Sequence, residues 1–420
     1  MARKKICFCH YGIGWRDGVN MSIFSLAREI AKKNQDVEIY FLGGEIKEKR
    51  IKNAVYLKIP ELLPPKRKLK KRGVFAKAEI IAKKLGKYTQ GIDRVIVENP
   101  LMGGYHLPAM IGYFWYGQLF KNSATKLYFH VHDFYKDSPI YLREIKSFFS
   151  QKEIRKILKN GEGVDGFLIV NRNLEKKLIK EGIPKKKIFY LPNGIVSEIF
   201  SQPLKIKERK LIYQKLRIPN NLKFFLYPVR IVPRKNIEEA ILLTKRLREI
   251  TKENYGVVVS GKVDLNDPRS KIYYQKLRKI KVKEKFPIIF VRPPLPLERK
   301  YDNAGKIKKF SIGDLYQASE AILMTSLREG FGYPFLECWF SRKIVIGRRI
   351  EEIIKDFEKS GLKFWWLYKK FSFGAIKKQA DILQNKEKRE KIIENNLKVA
   401  KEVYEASRVT DRFLELINLK

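Results

Sequence analysis

The chain has 420 residues, 44% of them apolar, which supplies two domains and exceeds what one ordinary core holds. Its 89 Lys and Arg against 45 Asp and Glu leave a net charge of +44, which favours anionic partners without choosing among nucleic acid, acidic membrane and phosphorylated substrates. Three cysteines, an odd number with no Cys-x-x-Cys pair or His at zinc-ligand spacing, give no disulfide framework, and buried free thiols in a reducing compartment are expected.

In chain order, short apolar runs alternate with helical patterns, the signature of a parallel sheet wrapped by helices. Strands are predicted at Lys5–His10, Val37–Phe41, Arg94–Val97, Lys126–Val131, Gly166–Val170 and Ile188–Leu191. Between the first two, Ile23, Phe24, Leu26, Ala27 and Ile30 recur at helical spacing. The basic start, Met1–Lys5, is followed by an apolar stretch that stops at His10, so no signal peptide is read and a cytoplasmic chain is expected. Leu101–Phe120 carries no Asp, Glu, Lys or Arg and is long enough to span a bilayer. Gly103, Gly104, Gly112, Gly117 and Pro108, with His106 and Gln118, argue instead for a buried helix between strands.

Pro192-Asn193-Gly194 marks a turn, and the Lys- and Glu-rich stretch after it is the best boundary. The alternation then restarts, with strands predicted at Phe224–Val229, Gly256–Ser260, Ile288–Val291, Ala321–Met324 and Ile344–Ile346. Helices fit Ile237–Glu249, Ile312–Ala318 and Pro334–Phe340. The expected organisation is α/β: two Rossmann-like doubly wound domains over residues 1–197 and 205–390, facing a central cleft. A helical tail over 391–420 is expected to pack back on the N-terminal domain.

Chemistry concentrates in two segments of the second half. Arg328-Glu329-Gly330-Phe331-Gly332-Tyr333-Pro334-Phe335-Leu336-Glu337 follows a strand and opens a helix. Gly330 and Gly332 permit close approach of backbone amides, Pro334 suits the first turn, and a helix start favours an anion. Glu329 and Glu337 flank that position as candidate hydroxyl binders; the plainer reading is a loop with a capping Glu. In Tyr227–Asn236, Arg230 follows a strand and Lys235 precedes a helix, so both cations stand at the carboxyl edge of the sheet. There an Arg fork and a Lys point charge suit a diphosphate.

Together these segments resemble the retaining GT-B glycosyltransferases of family 4. The resemblance rests on Glu329-x7-Glu337 with its internal Gly-Phe-Gly and on the Arg230/Lys235 pair. Lesser matches are the glycine-rich loop after the first strand, His132-Asp133, and Pro192-Asn193-Gly194-Ile195. It implies GT-B architecture and transfer of a hexose from a nucleotide-diphosphate sugar with retention of configuration. Arg230 and Lys235 would hold the diphosphate, Glu329 the donor sugar and Glu337 the ribose, with Gly330, Phe331 and Gly332 at the donor. No cofactor and no metal are implied, because the two cations neutralise the leaving group and no Asp-x-Asp motif is present.

The N-terminal loop, Gly12-Ile13-Gly14-Trp15-Arg16-Asp17-Gly18-Val19-Asn20, departs from the family's Gly-Gly pair. Gly14 and Gly18 are its candidate donor contacts, at even odds with a simple turn. His130-Val131-His132 places two rings on one face of a strand, a pattern also seen at metal sites. The resemblance makes His132 a catalytic residue facing the donor sugar. Glu98-Asn99-Pro100 and His132-Asp133-Phe134-Tyr135 resemble a subgroup that glycosylates small solutes such as glucosylglycerate.

The densest charge run is Lys66-Arg67-Lys68-Leu69-Lys70-Lys71-Arg72. It reads first as a solvated loop. Its functional reading is attraction to an acidic membrane at the inner face, at ~1 kcal/mol per basic residue, or to an anionic acceptor. Alternatives are a membrane-associated lipid or polysaccharide glycosyltransferase of the same fold, and a basic nucleic-acid-binding protein. The latter lacks any helix-turn-helix, zinc-finger or RNP-type motif, so no specific nucleic acid is expected.

Overall fold

A computed structural model describes residues 3–419 except 16, 34, 35, 103, 104 and 264–267; the readings on Arg16, Gly103 and Gly104 lie outside the described residues. The chain forms two compact units, Met1–Gly194 with Ala406–Lys420, and Ile195–Glu405.

In the first unit the strands are β1 (Lys4–Ile13), β2 (Val37–Ile46), β3 (Val55–Lys58), β4 (Arg94–Glu98), β5 (Lys126–Val131), β6 (Gly166–Ile169) and β7 (Ile188–Tyr190). They form one sheet in the order β3-β2-β1-β4-β5-β6-β7, every pair parallel. Strand order reverses between β1 and β4, and in such sheets ligands bind beyond the carboxyl ends at that switch point. β1 runs past His10 to Ile13 because β2 extends beside it, pairing Gly12 with Glu45 and Ile13 with Ile46. Cys7 and Cys9 are buried and free in its centre.

One feature departs from the sequence reading and a second follows it. Lys71 and Arg72 open a helix, Lys71–Tyr88, which the density of cations disguised. Its buried face is Val74, Ala78, Ile81, Ala82 and Leu85, at helical spacing. The apolar stretch 101–120 yields the helix Leu107–Leu119, 13 residues long and buried. Its neighbour is so close that a Cβ on Gly112 would lie 2.8 Å from the Ala78 carbonyl oxygen. Among the described residues no helix is long and apolar enough to cross a membrane.

The second unit holds β8 (Lys223–Tyr227), β9 (Tyr255–Val259), β10 (Ile288–Phe290), a small antiparallel hairpin of β11 (Lys300–Tyr301) and β12 (Ile307–Lys309), β13 (Ala321–Met324) and β14 (Ile344–Gly347). Its main sheet is parallel, in the order β10-β9-β8-β13-β14, with the switch point between β8 and β13. Behind it, the rings of Phe335, Trp339, Phe357, Phe364 and Trp366 pack edge-on and tilted. The buried Trp366 indole donates to the Val345 carbonyl at 2.7 Å.

The C-terminal tail divides. Helix Lys386–Tyr404 belongs to the second unit, whereas Ala406–Leu416 returns to the first. There Val409, Phe413, Leu414 and Ile417 complete the core made by Phe8, Ile23, Leu26 and Phe41. Polar ties fix the register: Lys33 pairs with Asp411 at 2.7 Å, and Arg94 donates to the carbonyls of Ile417 and Asn418. Phe413, fully buried and stacked on Phe8 at 6.1 Å, is the anchor. Phe413→Ala is expected to destabilise the first unit by about 3–5 kcal/mol in urea denaturation. A loss below about 1 kcal/mol would mean the tail is a loose appendage.

Candidate active site

Strand β8 ends in Tyr227, and the chain then turns through Pro228 to Ile231 and a single 3-10 turn, Pro233–Lys235, before helix Ile237–Thr251. The turn is tightly seated. A Cβ on Gly261 would fall 1.9 Å from the Val229 carbonyl oxygen, and the Ile231 N–H donates to the Lys262 carbonyl at 3.0 Å. Arg230 is exposed.

Lys235, by contrast, is only 7% exposed. Its place at the carboxyl edge of the sheet predicts an exposed side chain. The 3-10 turn instead folds its side chain inward, where the β13 loop covers it.

That loop brings the partner. After β13, Thr325, Ser326 and Glu329 descend beside β8, and the Lys235 ammonium pairs with the Glu329 carboxylate. The buried Tyr227 hydroxyl ties the two loops together. It donates to the Lys235 carbonyl, accepts from the Thr325 N–H at 3.2 Å and lies 3.1 Å from the Ser326 hydroxyl. The Leu327 N–H donates to the Arg234 carbonyl at 2.9 Å. Arg234, which the motif passes over, stands 3.6 Å from the Glu329 carboxylate and donates to the Arg328 carbonyl at 3.0 Å.

The electrostatics follow from burial and pairing. Burial pulls the Lys235 ammonium down to about 8, against the opposing pull of Glu329, and Arg234 and Arg230 add to the fall. Burial alone would raise Glu329, but Lys235 and Arg234 hold it below the usual carboxylate range. The Glu337 carboxyl, in the helix Pro334–Phe340, accepts from the Tyr316 hydroxyl, and burial lifts it to about 7. Two carboxylates of one motif are thus pushed in opposite directions by their surroundings.

The glycines and Phe331 between them have structural reasons of their own. Gly332 has φ +87°, and a Cβ there would approach the Ile353 side chain to 2.5 Å. The Phe331 ring turns inward against Phe357 and Tyr404, leaving its backbone as the part able to meet a ligand. Gly330 is half-buried on the loop.

In the first unit, Gly14 has φ +75° and a Cβ on it would sit 2.4 Å from the Glu48 carbonyl oxygen, so packing alone demands glycine there. Its N–H donates to the Asn20 side chain at 2.8 Å, and Gly18 opens helix Gly18–Lys33. His132 lies at the end of β5. Its Nε2 is 2.8 Å from the Glu98 carboxylate at the end of β4, and His130 Nδ1 is 3.1 Å from the same oxygen. Burial would raise Glu98, and the two rings reverse this and hold it at about 2.

Asn99, at φ 56°, clamps the neighbouring loop: its side chain accepts from the Asp133 N–H at 2.9 Å and donates to the Asp133 carboxylate at 3.1 Å. The link between Glu98 and the histidines was not drawn from sequence. Its signal is that Glu98 and His130 come opposite each other when β4 and β5 pair.

Two family models match the chain, Glycosyltransferase Family 4 over residues 16–198 and Glycosyl transferases group 1 over residues 208–399. The chain is a GT-B glycosyltransferase of the group 1 and family 4 type. A mannosylglucosyl-3-phosphoglycerate synthase of Petrotoga mobilis is 29% identical over 200 residues, covering 46% of this chain and 35% of that one. The chain thus spans about a third of that relative's length. A mannosylglucosylglycerate synthase of the same organism is 23% identical over 387 residues, covering 81% of both chains. Among solved structures, a glycosyltransferase from Rickettsia africae has a TM-score of 0.69 at 16% identity, covering 100% of this chain and 98% of that one. Anabaena HepE, solved in complex with UDP-glucose, has 0.67 at 14% identity, covering 99% of both. These two GT-B neighbours share the fold.

The raised Glu337 carboxyl makes a stability prediction. A group whose folded value, about 7, exceeds its ordinary 4.5 contributes stability that is present below 4.5 and lost as pH rises through 7. Glu337→Gln keeps an acceptor for Tyr316 but cannot ionise. It should therefore gain on the wild type between those pH values, by on the order of 1 kcal/mol or more at pH 8 relative to pH 4.5. Urea denaturation at both pH values checks this, and a pH-independent difference would show that the carboxyl is solvated.

Proposed function

We propose that the protein transfers a hexose from a nucleotide-diphosphate sugar to a small polar acceptor, with retention of anomeric configuration and without a metal at the diphosphate. The observation that carries this reading is the meeting of Lys235 and Glu329 at the switch point of the second unit, with Arg230 exposed beside them. A buried Lys–Glu pair with an exposed Arg beside it suits a ligand that joins an anion to a set of hydroxyls. In this reading Arg230 and Lys235 hold the diphosphate, Glu329 the sugar and Glu337 the ribose, and His132 faces the donor sugar. The acceptor hydroxyl oxygen bonds to the anomeric carbon as the bond to the diphosphate breaks; the electron pair leaves with the diphosphate, whose oxygen then takes up the acceptor's proton. Negative charge therefore grows on the leaving group, where fixed cations stabilise the transition state more than the ground state.

The names of the Petrotoga relatives support an acceptor of the glycosylated glycerate class. A carboxylate- or phosphate-bearing acceptor also accords with the charge of +44.

Release of nucleoside diphosphate from a panel of UDP-, GDP- and ADP-sugars, in buffer free of Mg²⁺ and Mn²⁺, tests the reading. Arg230→Ala and Lys235→Ala should each lose about a hundredfold to a thousandfold in turnover. Arg234→Ala, which loosens Glu329 without touching the motif positions, should fall between them and the wild type. Full activity in all three variants would move the donor site elsewhere.

A second reading, contact with an acidic membrane, is favoured by one observation: Lys66, Arg67, Lys68, Lys70, Lys71 and Arg72 are all exposed. Neutralising the six should weaken binding to anionic liposomes at low salt and leave nucleotide affinity unchanged. Wild-type protein that ignores such liposomes returns the segment to a solvated loop and helix start.

A further inference from the structure

Three of the chain's four histidines gather at the switch point of the first unit, with one buried carboxylate among them. The backbone dictates this. Parallel pairing sets Glu98 opposite His130, and the two-residue period of β5 returns His132 to the same face. On the other side, Cys9 pairs with Val97, so His10 follows in register beside Glu98. Glu98, His130, His132 and His10 are 1%, 0%, 5% and 0% exposed.

The ligand atoms of Glu98, His130 and His132 lie within 4.8 Å of one another. The closest separations, 2.8 and 3.1 Å, approach the ~3.3 Å between neighbouring ligands of a tetrahedral ion with bonds of about 2.0–2.1 Å. Small rotations of the rings would open the cluster to that spacing.

Hydrogen bonds alone satisfy this cluster poorly. Among the described residues no Lys or Arg pairs with Glu98, although a buried carboxylate without a cation is costly. Nε2 of His130 is buried and without a partner among the described residues, whichever group its Nδ1 meets. Nε2 of His10 is also buried and unpartnered, its Nδ1 being engaged with the Gly12 carbonyl at 2.9 Å. A nitrogen-rich set with one carboxylate and a spare imidazole suits a borderline ion such as Zn²⁺ or Co²⁺, not the hard Mg²⁺ that a diphosphate recruits.

We propose that Glu98, His130 and His132 form a binding site for one divalent transition-metal ion of the Zn²⁺ type, with His10 on the adjacent strand. The site is built within the first unit and is independent of the donor cations Arg230 and Lys235. An ion there would supply the missing positive charge, fix the tautomers of both β5 histidines and lock the ends of β4 and β5 in register.

The test uses the full-length untagged protein, dialysed against a chelator and titrated with Co²⁺. One equivalent should bind with a visible absorption band of four- or five-coordinate Co²⁺, and Zn²⁺ should displace it stoichiometrically. Glu98→Gln and His130→Asn are both close in shape to the native residues and should each weaken binding at least about tenfold. Circular dichroism of each variant establishes that it is folded, and a variant that fails this is replaced by Glu98→Asp or His130→Gln, held to the same expectation. Absence of the band in folded wild-type protein, or equal binding by folded variants, would overturn the proposal and leave a hydrogen-bonded cluster that orients His132. Nucleotide-diphosphate release by the wild type is measured separately, so a failed donor reading and a failed metal reading are told apart.

Discussion

The buried pairing of Lys235 with Glu329 is the constraint around which the second unit is organised. It closes the gap between β8 and β13, where the strand order reverses, and each partner reaches it only because its loop is held at several points. Tyr227 serves both loops at once, so the pair is fixed before any ligand arrives. Removing one partner of such a pair strands a buried charge and costs about 3–5 kcal/mol, although the pair as a whole adds little over apolar residues of the same volume, so its role is to constrain geometry. Burial draws the ammonium down to about 8, so it is mostly charged at neutral pH and loses its proton just above it, where an arriving anion would hold the proton on.

The same topology produces a different chemistry in the first unit. There the switch point lies between β1 and β4, and the side chains delivered to it are His10, Glu98 and, from the next strand, His130 and His132. One carboxylate serves two rings, and Asn99, held at positive φ, cross-links the following loop through Asp133. Both units thus place buried, perturbed ionisable groups, Glu98 in the first and Lys235 in the second, at the carboxyl edge of a parallel sheet, as expected of functional positions.

Much of this was legible in the sequence because strand and helix periods are local. Each strand read from an apolar run, from Lys126–Val131 to Ala321–Met324, is present within a few residues of its reading. What escaped depends on neighbours. The end of β1 is set by β2, and the helix Lys71–Tyr88 hides its apolar face among cations. The inward turn of Lys235 follows from a 3-10 turn that spacing does not announce. The tie from Glu98 to His132 needs the register of β4 against β5, across a sequence separation no motif spans. The involvement of Arg234 with Glu329 likewise appears only when the two loops are brought together.

If Lys235 receives the diphosphate of the donor, as proposed, binding of a nucleoside diphosphate is linked to proton uptake. An ammonium held at about 8 gains a second anionic partner on binding, so its affinity for the proton must rise. Calorimetric titration of a nucleoside diphosphate near pH 8.5, in buffers of different ionisation enthalpy, should reveal net proton uptake in the wild type and none attributable to this site in Lys235→Met. Binding without proton uptake, or uptake unchanged in the variant, would contradict the assignment of the diphosphate to Lys235.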